Sequence, residues 1–562
     1  MGSPHHGAAG LRHSVLDGRG KLSHRARRGA RRRGRWRARH RGAVLIAVDL
    51  VERAREIVLA LLRDARRRLA HLTYADLRLE VVEGRFASAE NGGSRASGAD
   101  ASCAAGLRVL AGDRTVAPGW VGIVIGDADL PNLEALLRDA LERAYRRAVA
   151  NADGKAEARD KFGPLGASLA ATQLHPIDVR QAVVPAVYRI DPRGVPLPDM
   201  VGYTTDVSRA VSGAHSSIQY NYILTVTQLS RELFASTEGT LIDQAFALTQ
   251  GLCSVVAVAG GVSQSLYDVS GHQRGWEVLT DGVEEPLMSF PPFRDFALSL
   301  ALEAAELVVA PPLPTSDRDV VVVTDPHYNT LLSHEIIGHP TELDRALKME
   351  TAYAGRSWLL AGLGEHQVGK RVASPLVTAY SDPALPGYGH YEYDHEGTPA
   401  QRVVHIDRGI FRGFMNSRQT AAIFGGAPNG HFKATEASLV PLIRMSSTVF
   451  ERGANDPRDI IRDVEHGYYL VGHRIPSIAE SRENFRISAR KVYEIERGQL
   501  GRLYRDGGIV ADSRDFLLNV DAAGTDFRIY PIANCGKGQP MQSKKLGNGG
   551  PTLRSRARVA GG

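Results

Sequence analysis

The segment that most constrains this chain is DVVVVTDPHYNTLLSHEIIGHPTELD, residues 319–344. Residues 319–324 are a near-continuous β-branched run, the pattern of a buried strand. Asp325 then suits a helix N-cap, and Pro326 suits the first helical position, where its missing N–H costs nothing. Leu331, Leu332, Ile336 and Ile337 supply an inward-facing side for that helix. His334, Glu335 and His339 sit on the same helix.

Two His residues at i and i+4 share a helix face, as in the H-E-x-x-H zinc motif. Here the spacing is i and i+5. At about 100° per residue the two imidazoles would point about 140° apart. A regular helix cannot bring them to one ion, so it must bulge or end between them. Gly338 tolerates the conformations that end a helix, and Pro340 does not continue one easily. The expectation is that His334 projects from the last turn and His339 swings back from the exit. The alternative is two unrelated polar residues at a helix end.

A zinc site with two His needs at least one more protein ligand, and a catalytic site keeps one position for water. His366, His390, His395, His405, His431, His466 and His473 lie downstream. Cys535, in NCGKGQ between Gly-rich turns, has the better context, with Lys537 nearby to favour a thiolate. Cys103 lies in a Gly-, Ala- and Ser-rich stretch read as a loop. Cys253 lies in an apolar run, where a core role fits.

From about residue 43 to the C-terminus, and most strongly from 319, the chain resembles the TldD/PmbA family of peptidases, specifically its metal-bearing TldD-like branch. The pattern H-E-x-x-G-H-x-x-E-x-D is met by His334, Glu335, Gly338, His339, Glu342 and Asp344. D-x-E-G-T-P-x-Q-R is met by Asp394, Glu396, Gly397, Thr398, Pro399, Gln401 and Arg402. The closing C-G-K-x-G-Q pattern falls on Cys535, Gly536, Lys537, Gly538 and Gln539, one residue short, and is followed by Gly550-Pro551-Thr552-Leu553. The resemblance implies Zn2+ held by His334, His339 and Cys535, with Glu335 as the general base that activates a zinc-bound water. It implies an unfolded or extended peptide as substrate. It also implies a dimer enclosing the site, either a homodimer or a heterodimer with a PmbA-like subunit. Glu342 and Asp344 are candidates to orient an imidazole. The sequence departs from the pattern in four places. Pro340 and Thr341 follow the second His, where small and apolar residues are usual. His395 stands where an acidic residue is usual. The closing block is shortened, and the following MQSKKLG lacks the usual Pro-Val pair.

The rest of the chain predicts an α+β protein. Residues 1–42 form a basic tail read as disordered, with thirteen Arg and Lys against Asp17. That is a net +12 out of a total of +7, so the remaining body carries −5. Residues 43–312 read as a mixed helix and antiparallel-sheet region. Residues 313–562, after the break at PPLPTSDR, read as a β-rich, barrel-like catalytic domain. Helices are expected over 46–70, 131–149 and 285–309, a strand over 77–81, and a loop over 87–105. Three cysteines argue against a disulfide framework and for a reducing, cytoplasmic setting. No apolar run reaches the roughly 18 residues that would span a bilayer. Two other functional classes stay open: a non-catalytic, metal-stabilised scaffold or regulatory partner, which Glu335 opposes, and a nucleic-acid-associated protein, which only the tail suggests. An inert solvated tail or a start-site artefact is the preferred account of those residues.

Overall fold

The structure, a computed structural model, describes residues 43–162, 171–352 and 355–561. The basic tail read over residues 1–42 lies outside them. The chain divides into Met1–Ile46 and Ala47–Gly562, and all contacts given below lie within the second unit. The α+β expectation holds, as an N-terminal helix-and-sheet layer and a C-terminal barrel. Among the described residues no helix is long and apolar enough to cross a membrane.

The N-terminal sheet runs Ala117–Ile125, Gly93–Ala111, Leu72–Glu90, Ile218–Ser236, Leu241–Ala259 and Gln181–Val184. Val262–His272 also pairs with Leu241–Ala259. Pairing is antiparallel apart from Gln181–Val184. Successive side chains on a strand face opposite sides, and the two sides here differ in chemistry. Leu77, Leu79, Leu107 and Leu233 pack with residues of helices Ala43–Arg68 and Leu133–Phe162. Ile223 and Val255 pack with residues of helices Leu197–Ser212 and Phe293–Leu307. The intervening Asp76, Arg78 and Glu80 are buried too, but against C-terminal residues. Arg78 meets His395 at 2.6 Å, Glu80 accepts from the Ala437 N–H at 2.8 Å, and Arg108 bridges Asp76 to Glu396.

Three expectations need correction. Residues 87–105 are not a loop; they lie in the hairpin of Leu72–Glu90 with Gly93–Ala111, in near-continuous register. The backbone ladder holds strands built of small residues, and Gly98 leaves room for the Phe86 ring, which a Cβ would meet at 2.8 Å. The helix expected over 131–149 runs Leu133–Phe162, because Ala144, Ala148, Ala152 and Ala156 keep a narrow buried stripe. The one expected over 285–309 is Phe293–Leu307, preceded by the hairpin Val283–Glu285 and Met288–Phe290.

The C-terminal barrel has five strands in the order Val320–Thr324, His466–Ile478, Asn484–Glu496, Gly507–Asp512 and Leu553–Gly561. Pairing of Val320–Thr324 with Leu553–Gly561 closes it. A second sheet runs Ile410–Phe411, Val403–Asp407, Ala379–Ser381, Ser447–Phe450, Gln542–Gly550 and Arg528–Lys537. The helix that follows Val320–Thr324 contributes Tyr328, Leu331, Leu332, Ile336 and Ile337 to the core shared by both layers.

Candidate metal centre

The site begins where the first barrel strand ends. Val320–Thr324 is paired on both edges, parallel to His466–Ile478 on one and antiparallel to Leu553–Gly561 on the other. Asp325 caps the helix as expected: its carboxylate accepts from the Tyr328 N–H at 2.6 Å and the Gly472 N–H at 3.0 Å. The Tyr328 hydroxyl donates to the Ile487 carbonyl at 2.7 Å, which fixes the helix against the barrel.

After the α-helical segment Pro326–Leu332 comes one wide turn, Ser333–Gly338, in which the His339 N–H donates to the His334 carbonyl five residues back. Such a π-type bulge brings residue i+5 over residue i. The two imidazole centroids lie 4.7 Å apart with the rings at 86°. The one-residue excess in the motif is therefore absorbed by a bulge inside the helix, not by its end. This corrects the expected role of Gly338. Its φ and ψ are −60° and −62°, ordinary right-handed values. What the position requires is space, since a Cβ there would sit 1.9 Å from Met445 Sδ. The helix stops at Glu342, which is extended at φ −76°, ψ 111°. Just before it, the Thr341 hydroxyl donates toward the Ile337 and Gly338 carbonyls at 2.8 and 2.9 Å.

Cys535 arrives from a strand, Arg528–Lys537, paired with Gln542–Gly550 and irregular in register between Ile532 and Cys535. The buried Arg444 ties the two strands together, donating to the Cys535 carbonyl and, at 3.1 Å, to the Gln542 carbonyl. Cys535 Sγ lies 3.6 Å from His339 Nε2, and the ligand atoms of His334, His339 and Cys535 all lie within 4.8 Å of one another. Zinc at about 2.1 Å from nitrogen and about 2.3 Å from sulfur, with tetrahedral angles, separates the two donors by about 3.6 Å. The donor set thus fits zinc in chemistry and spacing. Among the described residues, none of the other downstream histidines joins such a three-ligand group.

Electrostatics favour the ligand form of the cysteine, a thiolate paired with a charged imidazole that must give up its proton when a metal binds. Burial, helped by Glu80 beside Cys103 and Asp268 beside Cys253, pushes those two thiols up to about 12. Cys535 is equally buried, yet the imidazoles of His334 and His339 and the Arg444 guanidinium outweigh that cost and hold its thiol well below the ordinary range. Burial disfavours a charged His334, but the Cys535 sulfur more than offsets it and lifts the imidazole to about 9. Lys537 does not serve the thiolate as expected. Its ammonium turns to Asp344 at 2.7 Å, the Ile443 carbonyl at 2.7 Å and Glu342 at 3.3 Å.

Both imidazoles are oriented from behind. His339 Nδ1 lies 3.1 Å from Glu342 Oε2 and 3.0 Å from Arg345 Nη2; either partner engages Nδ1 and leaves Nε2 for an ion. Burial opposes a charged Glu342, but Lys537, Arg345 and His339 hold its carboxyl well below the usual range. Asp344 touches neither imidazole; it accepts from Lys537 and, at 3.1 Å, from the Ile443 N–H. His334 Nδ1 lies 3.4 Å from Asn548 Oδ1, and the Asn548 amide donates to the Thr448 carbonyl at 2.9 Å, which turns its oxygen toward the ring. Glu335 is buried and takes the Arg482 guanidinium at 2.5 Å. Burial would raise its carboxyl, but His339, His334, Arg482 and Arg345 hold it below the ordinary value.

Residues 317–561 match the family described as PmbA/TldA metallopeptidase C-terminal domain. This part of the chain belongs to the TldD/PmbA family. Among curated relatives, a metalloprotease of Methanothermobacter thermautotrophicus is 29% identical over 358 residues, 63% of this chain and 73% of its own length. A zinc metalloprotease TldD homolog of Saccharolobus solfataricus is 27% identical over 243 residues, 43% of this chain and 51% of its own length. The crystal structure of TldE from Thermococcus kodakarensis shares the fold at a TM-score of 0.62 and 16% identity, covering 90% of this chain and 100% of that one. Arg345, Arg444, Arg482 and Asn548 carry no sequence signal that marks them as parts of a TldD-type centre. Each becomes visible only through long-range contacts.

One buried histidine outside the centre sets a pH limit. His405 has Nε2 2.8 Å from Ser381 Oγ and Nδ1 3.1 Å from the Gly413 carbonyl, and burial pushes it down to about 4. The folded state keeps it neutral, whereas the unfolded chain takes up a proton below about 6.5. Stability is therefore present above that value and is lost as pH falls toward 4, by about 2 kcal/mol at pH 5 relative to pH 7. Urea unfolding at pH 7 and pH 5 tests this against His405→Gln. The wild-type loss should exceed the variant's by about that amount; equal losses would contradict the assignment.

Proposed function

We propose that this chain is a zinc-dependent peptidase acting on unfolded or extended peptides, with His334, His339 and Cys535 as the zinc ligands and Glu335 as the general base. The observation that carries this reading is the convergence of three ligand atoms, within 4.8 Å of one another, beside a buried and charge-stabilised carboxylate. The names of the relatives, metalloprotease and zinc metalloprotease, support it. Zinc, when bound, supplies Lewis acidity that polarises a scissile carbonyl and makes water acidic near neutral pH.

The chain's own residues supply the rest. Glu335, held ionised by the imidazoles and Arg482, takes the proton of the attacking water and passes it to the leaving amine. Glu342 and Asn548 fix the ring orientations, so that each imidazole presents one nitrogen to the site. A purely structural site needs no buried base next to its ligands, which disfavours the scaffold reading. Strand edges in a β-rich domain suit main-chain pairing with an extended peptide, which gives binding with little sequence preference. The proposal extends to a two-subunit assembly in the cytoplasm, with a second copy or a PmbA-like subunit.

The test is cleavage of an unfolded peptide library before and after removal of metal. Chelation should reduce cleavage to background, and stoichiometric zinc should restore it. Cleavage unaffected by chelation would overturn the reading.

A further inference from the structure

The charged side of the N-terminal sheet does not close completely on the C-terminal half. Between them lies a cleft of about 210 Å³, and Met445, which packs on Gly338 of the metal helix, forms part of its wall. Three lysines line it, Lys433, Lys544 and Lys545, together with Glu80 and Glu232. The acidic groups are already engaged. Glu80 accepts from the Ala437 N–H, and Glu232 lies 3.0 Å from His395 Nε2 and 4.0 Å from Lys433. Lys433 also sits 4.3 Å from the centroid of the Tyr391 ring, and Lys545 donates to Gln250 at 2.5 Å. Among the described residues, the Lys544 ammonium has no hydrogen bond and no carboxylate within 4.0 Å; Glu232 and Glu80 act on it only from further away.

We propose that this cleft is a carboxylate subsite of the peptide channel, in which Lys544 receives an acidic side chain or a C-terminal carboxylate of the bound peptide. The proposal rests on the peptidase reading. Lys544 is the cross-strand partner of Cys535. Residues directly opposite on antiparallel strands have Cβ atoms about 5 Å apart, so the ammonium lies within about one lysine length of the ligand sulfur. An extended peptide advances about 3.3 Å per residue. A carboxylate two or three residues from the cleaved bond therefore reaches Lys544. An ammonium facing a low-dielectric cleft beside a second lysine is costly until an anion joins it, and the two acids nearby are held by other partners. Two departures from the resembled pattern meet in this cluster: the segment MQSKKLG, which contains Lys544 and lacks the usual Pro-Val pair, and His395, which engages Glu232.

The test uses the zinc-loaded full chain and labelled extended peptides. Each carries one Glu, placed one to four residues to either side of a fixed bond, and each has a Gln counterpart. Every peptide is made both as the C-terminal acid and as the amide. Binding is read by anisotropy, separately from cleavage. At one or more positions Glu, or the free C-terminus, should bind about tenfold tighter than its neutral counterpart. The acid and amide arms tell the two sources apart. The ratio should fall to near one in Lys544→Gln and persist in Lys544→Arg. A wild-type ratio near one at every position and in both arms, or a ratio unchanged in Lys544→Gln, overturns the subsite. Preferential binding without any cleavage would instead overturn the peptidase reading alone.

Discussion

Glu335→Gln is expected to lower kcat on unfolded peptides by about 10²–10⁴-fold while the chain stays folded and keeps its zinc. The amide preserves the shape of the side chain, and its oxygen still accepts from Arg482, which sits 2.5 Å from the native carboxylate. What is lost is the proton acceptor. The imidazoles of His334 and His339 and the Arg482 guanidinium hold the native group ionised in spite of burial, so the wild-type base is ready at neutral pH. Steady-state cleavage, with metal analysis of the same preparation, checks this. A variant that cleaves as fast as the wild type would remove Glu335 from the chemistry.

Lys537→Met should destabilise the chain by about 3–5 kcal/mol, the range for removing one partner of a buried ion pair. The Lys537 side chain is fully buried, with its ammonium between Asp344 at 2.7 Å and Glu342 at 3.3 Å. Methionine fills the same space but leaves Asp344 without its ammonium and Glu342 with Arg345 as its remaining strong cation. Glu342 is also what orients His339, so zinc affinity should fall as well, by about 10–100-fold. Urea unfolding of the metal-free protein separates the two effects. A loss of less than about 1 kcal/mol, the level of an exposed pair, would show that the cluster does not support the site.

The path into the site was legible in local sequence, because its causes are local. A β-branched run, an Asp cap and a Pro at the first helical position depend on near neighbours only, and Val320–Thr324, Asp325 and Pro326 behave as their types require. The need for a bulge or a break between His334 and His339 followed from helical geometry alone. The choice between them did not, because it depends on Met445, more than a hundred residues away, filling the space over Gly338. Cys535 was reached through a motif, whereas its presentation from a paired strand and its support by Arg444 depend on the hairpin with Gln542–Gly550. Residues 87–105 misled for a related reason. Small residues read as a loop when judged singly, but Leu72–Glu90 supplies a ladder along their whole length.

The central claim is that three residues far apart in sequence hold one zinc ion, and the distant cysteine is its most exposed part. Zinc per chain should be measured after dialysis against a weak chelator, for the wild type and for Cys535→Ser side by side. A hydroxyl in place of a buried thiolate removes the soft ligand and its charge. The wild type should keep about one zinc per chain, the stoichiometry of a mononuclear site, and the variant should lose most of it. Equal zinc in both proteins would take Cys535 out of the site and contradict the account.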